Sequence, residues 1–245
     1  MTDTTNKMRI AKFMSSAGLC SRREAERWIA EGRVQVNGET IDSPALNVSA
    51  EDAIIVDGKT ITQNTSKPRL YCLNKPKGYI CTSKDTHDRK TVFELVPPGL
   101  PRLVTVGRLD LNSEGLLLFT DQPSLAEKLM RPNNGLSRVY KVRIDGFLDE
   151  GQKAALQNGI TIEGIHYKGV LVEQEEKQTK RNNWITLTLT EGKNREIRKL
   201  MQSFGLHVSR LVRVSYGGLE LGGLPKSGFV EVPYKRIEKV LEGLK

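Results

Sequence analysis

The sequence predicts an α+β protein in two parts, a small one over residues 1–66 and a larger one over residues 67–245. Three observations predict this. The first part shows helical periodicity twice, then short alternating runs that meet at Asn37-Gly38 and Asp57-Gly58, so two helices lead into a small sheet. Residues 62–68 (Thr-Gln-Asn-Thr-Ser-Lys-Pro) are polar, end in proline and read as a linker. The remainder is dominated by short apolar or alternating runs punctuated by Gly and Pro, with brief helical stretches between them.

The elements follow in order. Met8, Ile10, Ala11, Phe13 and Met14 have helical spacing over 8–17, and Gly18 ends that helix. Ser21 and Glu24 form a capping box for a second helix. Ala25, Trp28 and Ile29 give it an apolar face, and Gly32 stops it. Arg33 to Val36 and Ala53 to Val56 alternate as strands. In the larger part, Arg69 to Asn74, Leu103 to Val106, Leu116 to Phe119, Val170 to Val172, Trp184 to Leu189 and Leu206 to Val214 read as strands. Arg138 to Ile144 alternates strictly, with Tyr140, Val142 and Ile144 on its apolar face, so core packing is the default role of Tyr140. A short helix runs from Ser124 through Met130, with Ser124 and Glu127 as a second capping box. Another follows Gly192, buries Ile197, Leu200, Met201 and Phe204, and leaves Arg195, Arg198 and Lys199 on a basic side. Residues 234–244 form a final helix.

Charge narrows the partners. The net charge is +9, but residues 1–66 carry 8 basic and 9 acidic groups while residues 67–245 carry 30 and 20. Within the first part, residues 7–33 hold seven basic and three acidic groups and residues 39–59 hold one and five. A basic helical start, an acidic patch and a basic main body suit a polyanionic partner better than solubility alone. No run approaches the roughly 18 apolar residues of a membrane helix. The first seven residues are polar, without the apolar core of a secretory leader, and Cys20, Cys72 and Cys81 form no CxxC pair, so a reduced, cytoplasmic protein without membrane attachment is expected.

The most informative stretch is 106–115, a polar loop held between two apolar runs. Asp110 sits early in it, where a rigid sheet presents a loop. On its own it reads as a turn former. A calcium loop nearly fits Asp110, Asn112, Glu114 and Asp121, but the last ligand lacks the bidentate Glu and the flanks are strands where helices are required. The turn Lys75-Pro76-Lys77-Gly78 carries two positive charges and could hold a phosphate, and Lys193 and Arg195 at a helix start form a second anion site. There is no GxxxxGK[ST], no GxGxxG, no HExxH, and the three histidines lie far apart, so neither a nucleotide cofactor nor a metal is expected.

Two resemblances carry the chain further. The order helix, Gly18-Leu-Cys-Ser-Arg-Arg-Glu, Gly32-Arg-Val-Gln-Val-Asn-Gly38 resembles the S-four-type RNA-binding domain over about residues 8–55. It implies RNA phosphate contacts from Lys12, Arg22, Arg23 and Arg27. Lys75-Pro-Lys-Gly78, Gly107-Arg-Leu-Asp110, Gly115-Leu-Leu-Leu-Phe-Thr120, Arg138-Val-Tyr-Lys-Val142 and Glu191-Gly-Lys193 followed by Ile197-Arg198 resemble, in order, the pseudouridine synthases of the ribosomal-RNA branch that carries such a domain in front. The large-subunit members look most similar, and the small-subunit relative shares the same motifs.

This resemblance implies a mixed, mainly antiparallel sheet crossed by a cleft, no cofactor, and a monomer that isomerises one uridine of ribosomal RNA, free or in a ribosomal precursor particle. It implies Asp110 as the catalytic aspartate, as nucleophile or as base. Tyr140 would stack on the target base, Arg198 would pair with the aspartate, Ile197 would wall the base, and Arg108 would hold the flipped nucleotide's backbone. Lys75, Lys77, Lys193 and Arg195 would contact RNA. A non-catalytic RNA-binding assembly factor and a base-releasing glycosidase are the rival readings.

Overall fold

The structure, a computed structural model, describes residues 7–83, 85–174 and 182–244, so residues 1–6 of the polar start lie outside it. The chain divides into two compact units. One is Met1–Arg69 with Gly99–Val104 and Thr120–Ala126; the other is Leu70–Pro98, Thr105–Phe119 and Glu127–Lys245.

In the first unit the helices are Ile10–Ser16 and Arg22–Ala30. Met8 and Arg9 are not helical as their spacing suggests; they form a two-residue strand against Asn47–Val48. The first helix ends when Gly18 (φ 79°) donates to the Ser15 carbonyl and Leu19 donates to Met14, the double bond that closes a helix on a left-handed residue. Gly32 (φ 69°) closes the second in the same way, with Arg33 donating to Trp28. The Ser21–Glu24 capping box is present in both directions, at 3.2 and 3.0 Å. Asn37-Gly38 and Asp57-Gly58 all have positive φ, the geometry of tight hairpins, and join Val34–Val36 to Glu39–Thr40 and Ile54–Val56 to Lys59–Ile61. Ile10, Phe13, Met14, Ala25, Ile29, Val34 and Ile54 form the core between helices and sheet. That packing leaves Arg22, Arg23 and Arg27 exposed on the outer side of the second helix, with Lys12 half-buried on the first. Arg27 also pairs with Glu31 at 3.5 Å.

The second unit is built on a mixed sheet in the order Leu171–Gln174, Asn183–Leu189, Arg138–Asp145, His207–Tyr216, Glu114–Thr120, Leu70–Lys75, Phe229–Glu231. Most pairs are antiparallel; His207–Tyr216 runs parallel to Glu114–Thr120. Alternation in Arg138–Asp145 is as read: Val142 and Ile144 are fully buried, and Lys141 and Asp145 are exposed. Ile185, Leu187, Leu189, Leu211 and the Ile197, Leu200 and Met201 side of helix Glu196–Ser203 complete that core. Three features differ from expectation. Helix Pro123–Met130 starts on its proline, so Ser124 lies inside the first turn and not at the N-cap. Helix Glu150–Asn158, capped by Asp149 and Gln152, and the hairpin Ile160–Ile162/Ile165–Tyr167 have no strong periodicity and were not expected. Among the described residues no helix is long and apolar enough to cross a membrane.

The central strand begins at Glu114, two residues before the apolar run suggests, and all seven of its residues are buried. Gly115 allows this. Its φ is +97°, and a Cβ there would lie 2.2 Å from the Arg213 carbonyl oxygen of the parallel neighbour. Substituting Gly115→Ala should therefore combine backbone strain with a steric clash and destabilise the fold by roughly 2–4 kcal/mol. Urea denaturation measures it; a loss below about 1 kcal/mol would show that the close approach is not required.

Candidate active site

The loop that follows Val104–Val106 turns at Gly107 (φ 73°) and closes where the Ser113 amide donates to the Asp110 carbonyl at 3.0 Å. The segment 75–81 holds it from beneath. Lys75 is the last residue of its strand and is wholly enclosed. Its ammonium donates to the carbonyls of Ser113 (2.8 Å), Asp110 (3.1 Å) and Pro76 (3.1 Å). Gly78 donates to the Leu111 carbonyl, and the Cys81 thiol lies 3.3 Å from both the amide and the carbonyl oxygen of Leu109. Four loop positions, 109, 110, 111 and 113, are thereby tied to one neighbouring segment. Burial pushes the Lys75 pKa below the ordinary lysine range, opposed by the charges of Cys81, Asp110 and Glu114. The expectation that Lys75 meets RNA is thus corrected: its donors are spent on backbone carbonyls and it has no exposed surface.

Asp110 is half-buried and opens onto a cleft of about 830 Å³. Arg108, Tyr140, Ile197, Lys193 and Arg195 line the same cleft, so residues from three separated motifs converge there. Tyr140 packs its ring against the core while reaching the cleft, beside a register shift between Val139 and Tyr140. Ile197 is 4% exposed. Arg198 departs from its expected place. Its guanidinium donates to the carbonyls of Val208 (3.0 Å) and Asn112 (3.3 Å), and among the described residues Asp110 has no ion-pair partner. Arg198 acts on Asp110 through space and braces the far end of the loop; burial lowers its pKa, but it stays a cation. Lys77 is exposed and 3.8 Å from the Glu114 carboxylate, which Arg210 also holds. Lys12, Arg22, Arg23 and Arg27 belong to the first unit.

Sequence reasoning missed the cleft floor. Arg138 (9% exposed) and Arg213 (2%) both lie against the ring of Tyr216, their guanidinium carbons 4.8 and 5.1 Å from its centroid. Arg138 donates to the Tyr216 hydroxyl at 3.1 Å, and that hydroxyl donates to the Leu129 carbonyl. Arg213 donates to the Leu116 carbonyl at 2.7 Å. Arg138 was visible in principle, as a cation on the apolar face of its strand.

Glu196, also at the cleft, is buried at the start of its helix; its Oε2 accepts from the Lys193 amide at 2.8 Å, and its Oε1 has no donor. Burial, with the Glu191 charge added, pushes its pKa up from 4.5 to about 7, so a proton held between the two carboxyl groups satisfies both.

Two tests follow. Lys75→Met should leave buried carbonyls of the Asp110 loop unpaired, at about 1–3 kcal/mol each, and should lower kcat by at least about 10-fold with KM little changed. Unaltered kcat in a folded Lys75→Met protein would show that the loop holds itself. For Glu196, the folded state retains a proton between the ordinary 4.5 and about 7 that the unfolded chain releases, so stability falls as pH rises through that window. Glu196→Gln should remove this slope, on the order of 1–3 kcal/mol, in urea melts between pH 5 and 7; an unchanged slope would place the titration elsewhere.

The sequence matches the RNA pseudouridylate synthase family over residues 69–203 and the S4 domain over residues 8–54. An uncharacterized RNA pseudouridine synthase of Rickettsia felis is 47% identical over 94% of this chain and 99% of its own length. The ribosomal large subunit pseudouridine synthase B of Haemophilus influenzae is 38% identical over 96% of this chain and 67% of its own length. A crystal structure of a pseudouridylate synthase superposes with a TM-score of 0.68 at 25% identity, covering 95% of this chain and 99% of that one. A family match over more than half of the chain, full-length relatives and the same fold agree, and the chain belongs to the RNA pseudouridylate synthase family, isomerases that convert uridine to pseudouridine in RNA.

Proposed function

We propose that this protein isomerises one uridine of ribosomal RNA, in the large subunit, with Asp110 as the catalytic residue. The observation that carries the reading is the presentation of Asp110: a carboxylate on a loop tied down at four positions, opening into a cleft shared with Tyr140, Ile197 and Arg108. The large-subunit assignment draws on similarity to enzymes so named in Haemophilus influenzae and Pseudomonas aeruginosa, 38% and 41% identical.

The chemistry fits these groups. Breaking the bond between uracil N1 and the sugar makes the sugar cation-like, and an ionised carboxylate on that face stabilises it or adds to it. The uracil leaves with the N1 bonding pair and turns, carbon 5 joins the sugar and displaces the carboxylate where it has added, the carbon-5 proton leaves with the help of Tyr140, and N1 takes up a proton. The tyrosine face and the Ile197 wall keep the detached base in place. The target uridine leaves its stack at a cost of a few kcal/mol, and Arg108 at the exposed rim, with Lys193 and Arg195, neutralises the phosphates that come with it. Residues 1–66, with Lys12, Arg22, Arg23 and Arg27, act as a separate RNA-holding domain ahead of a catalytic domain over 67–245. The protein works in the cytoplasm, on free rRNA or on a ribosomal precursor.

Mapping pseudouridines by carbodiimide treatment and reverse transcription, in cells lacking the protein and re-expressing wild type or Asp110→Asn, tests this. One large-subunit stop should vanish, return with wild type and stay absent with Asp110→Asn, a loss of at least about 10³-fold in rate. A stop restored by Asp110→Asn would remove the aspartate from the mechanism; a stop confined to small-subunit rRNA would correct the target.

A further inference from the structure

Over strands Arg138–Asp145, Asn183–Leu189 and His207–Tyr216 the sheet face turned away from the cleft is open, and it has the chemistry of a nucleic-acid surface. In strand Arg138–Asp145, Tyr140, Val142 and Ile144 enter the core side, so Lys141 and Arg143 project from the other. Across the ladders Arg143 stands opposite Trp184 on one side and Arg210 on the other, and Lys141 stands opposite Thr186 and Val212. These strands form the walls of a groove of about 640 Å³. Trp184 is 39% exposed, with the Arg210 guanidinium 5.9 Å from its ring centroid. Glu114, opposite Val212 at the edge of this row, is held by Arg210 at 2.9 Å and Lys77 at 3.8 Å and lies in the field of Lys226. Three cations, Lys77, Arg210 and Lys226, thus act on Glu114, while Lys141 and Arg143 stand in the neighbouring strand and Glu173 is the other carboxylate of the groove lining.

We propose that this face binds an unpaired stretch of the substrate RNA lying outside the target loop, one base stacking on Trp184 and neighbouring phosphates meeting Lys141 and Arg143. An exposed indole set among cations and threonine hydroxyls is the pairing that single strands use, because every base offers a flat face and every linkage a negative charge. A protein partner is the poorer fit: the centres of protein interfaces are depleted in lysine and in charge, and here the charges stand in the middle of the patch. The surface is separate from the cleft and gives the enzyme a second grip on RNA. It rests on the family's RNA substrate and not on the role of Asp110.

Trp184 supplies its own reporter, since the chain has only Trp28 besides it. In a Trp28→Phe protein, an oligoadenylate of about ten nucleotides, which offers bases and phosphates but no uridine to the cleft, should quench the Trp184 emission at low salt. Trp184→Ala should weaken binding of a long rRNA fragment about 10-fold, and Lys141→Gln should lower its log–log salt slope by about 1. Both should leave kcat on a minimal target stem-loop unchanged. Absence of quenching together with wild-type affinity of Trp184→Ala for the long fragment would overturn the proposal. So would a change in sedimentation with Trp184→Ala, which would give the face to a second copy of the chain. A wild-type enzyme that forms no pseudouridine in rRNA while the quench persists would overturn the proposed target and leave this surface standing.

Discussion

A lysine ammonium enclosed by protein is costly unless its donors are all met, and Lys75 meets its three with carbonyl oxygens of Pro76, Asp110 and Ser113. The chain path on both sides is fitted to that requirement. Two of the carbonyls belong to the loop that carries Asp110, so the same bonds that satisfy the cation fix the backbone of the carboxylate. Gly78 and Cys81, a few residues further on, add contacts to Leu111 and Leu109. The carboxylate of Asp110 is left out of this network. A rigid backbone and an unspent side chain suit the role proposed for Asp110, because a group that acts at one sugar carbon must be in place without being bound to something else.

The same logic runs through the strand that follows. Gly115 lets two parallel strands come closer than a side chain permits, and this brings Arg213 over the start of the Asp110 strand, where it donates to Leu116. Arg138 also reaches the ring of Tyr216, from the neighbouring strand. Two guanidinium groups, neither in an ion pair among the described residues, lie under the cleft, met by carbonyls, a hydroxyl and an aromatic face. Their charge is only weakly screened there, and it favours an anionic occupant above them. The sheet therefore shows positive charge on both faces: buried and ordered beneath the cleft, exposed and mixed with an indole behind it.

Much of this was legible from residues alone. Capping boxes, tight hairpin turns and positive-φ glycines act within a few residues of themselves, so Ser21–Glu24, Asn37-Gly38, Asp57-Gly58 and the stops at Gly18 and Gly32 could be read directly. Strict alternation in 138–144 placed Tyr140 and Lys141 on opposite faces correctly. The weaker signals failed for local reasons: helix Glu150–Asn158 has a shallow apolar stripe, and the other helix starts at Pro123, ahead of Ser124.

The sequence by itself determined the family, most of the elements and the candidate carboxylate, because motifs spaced along a chain are one-dimensional information. Only the tertiary structure decided what the cations do. Lys75 and Lys77 are two residues apart and look alike in a basic turn, yet one is wholly buried beneath the Asp110 loop and the other is exposed beside Glu114. Arg198 turned to the carbonyls of Val208 and Asn112, and Arg138 and Arg213 came to form the cleft floor. A long cationic side chain takes its role from whichever acceptors the folded chain brings within about 3 Å, and those acceptors, often backbone carbonyls tens of residues away, leave no mark in its own neighbourhood.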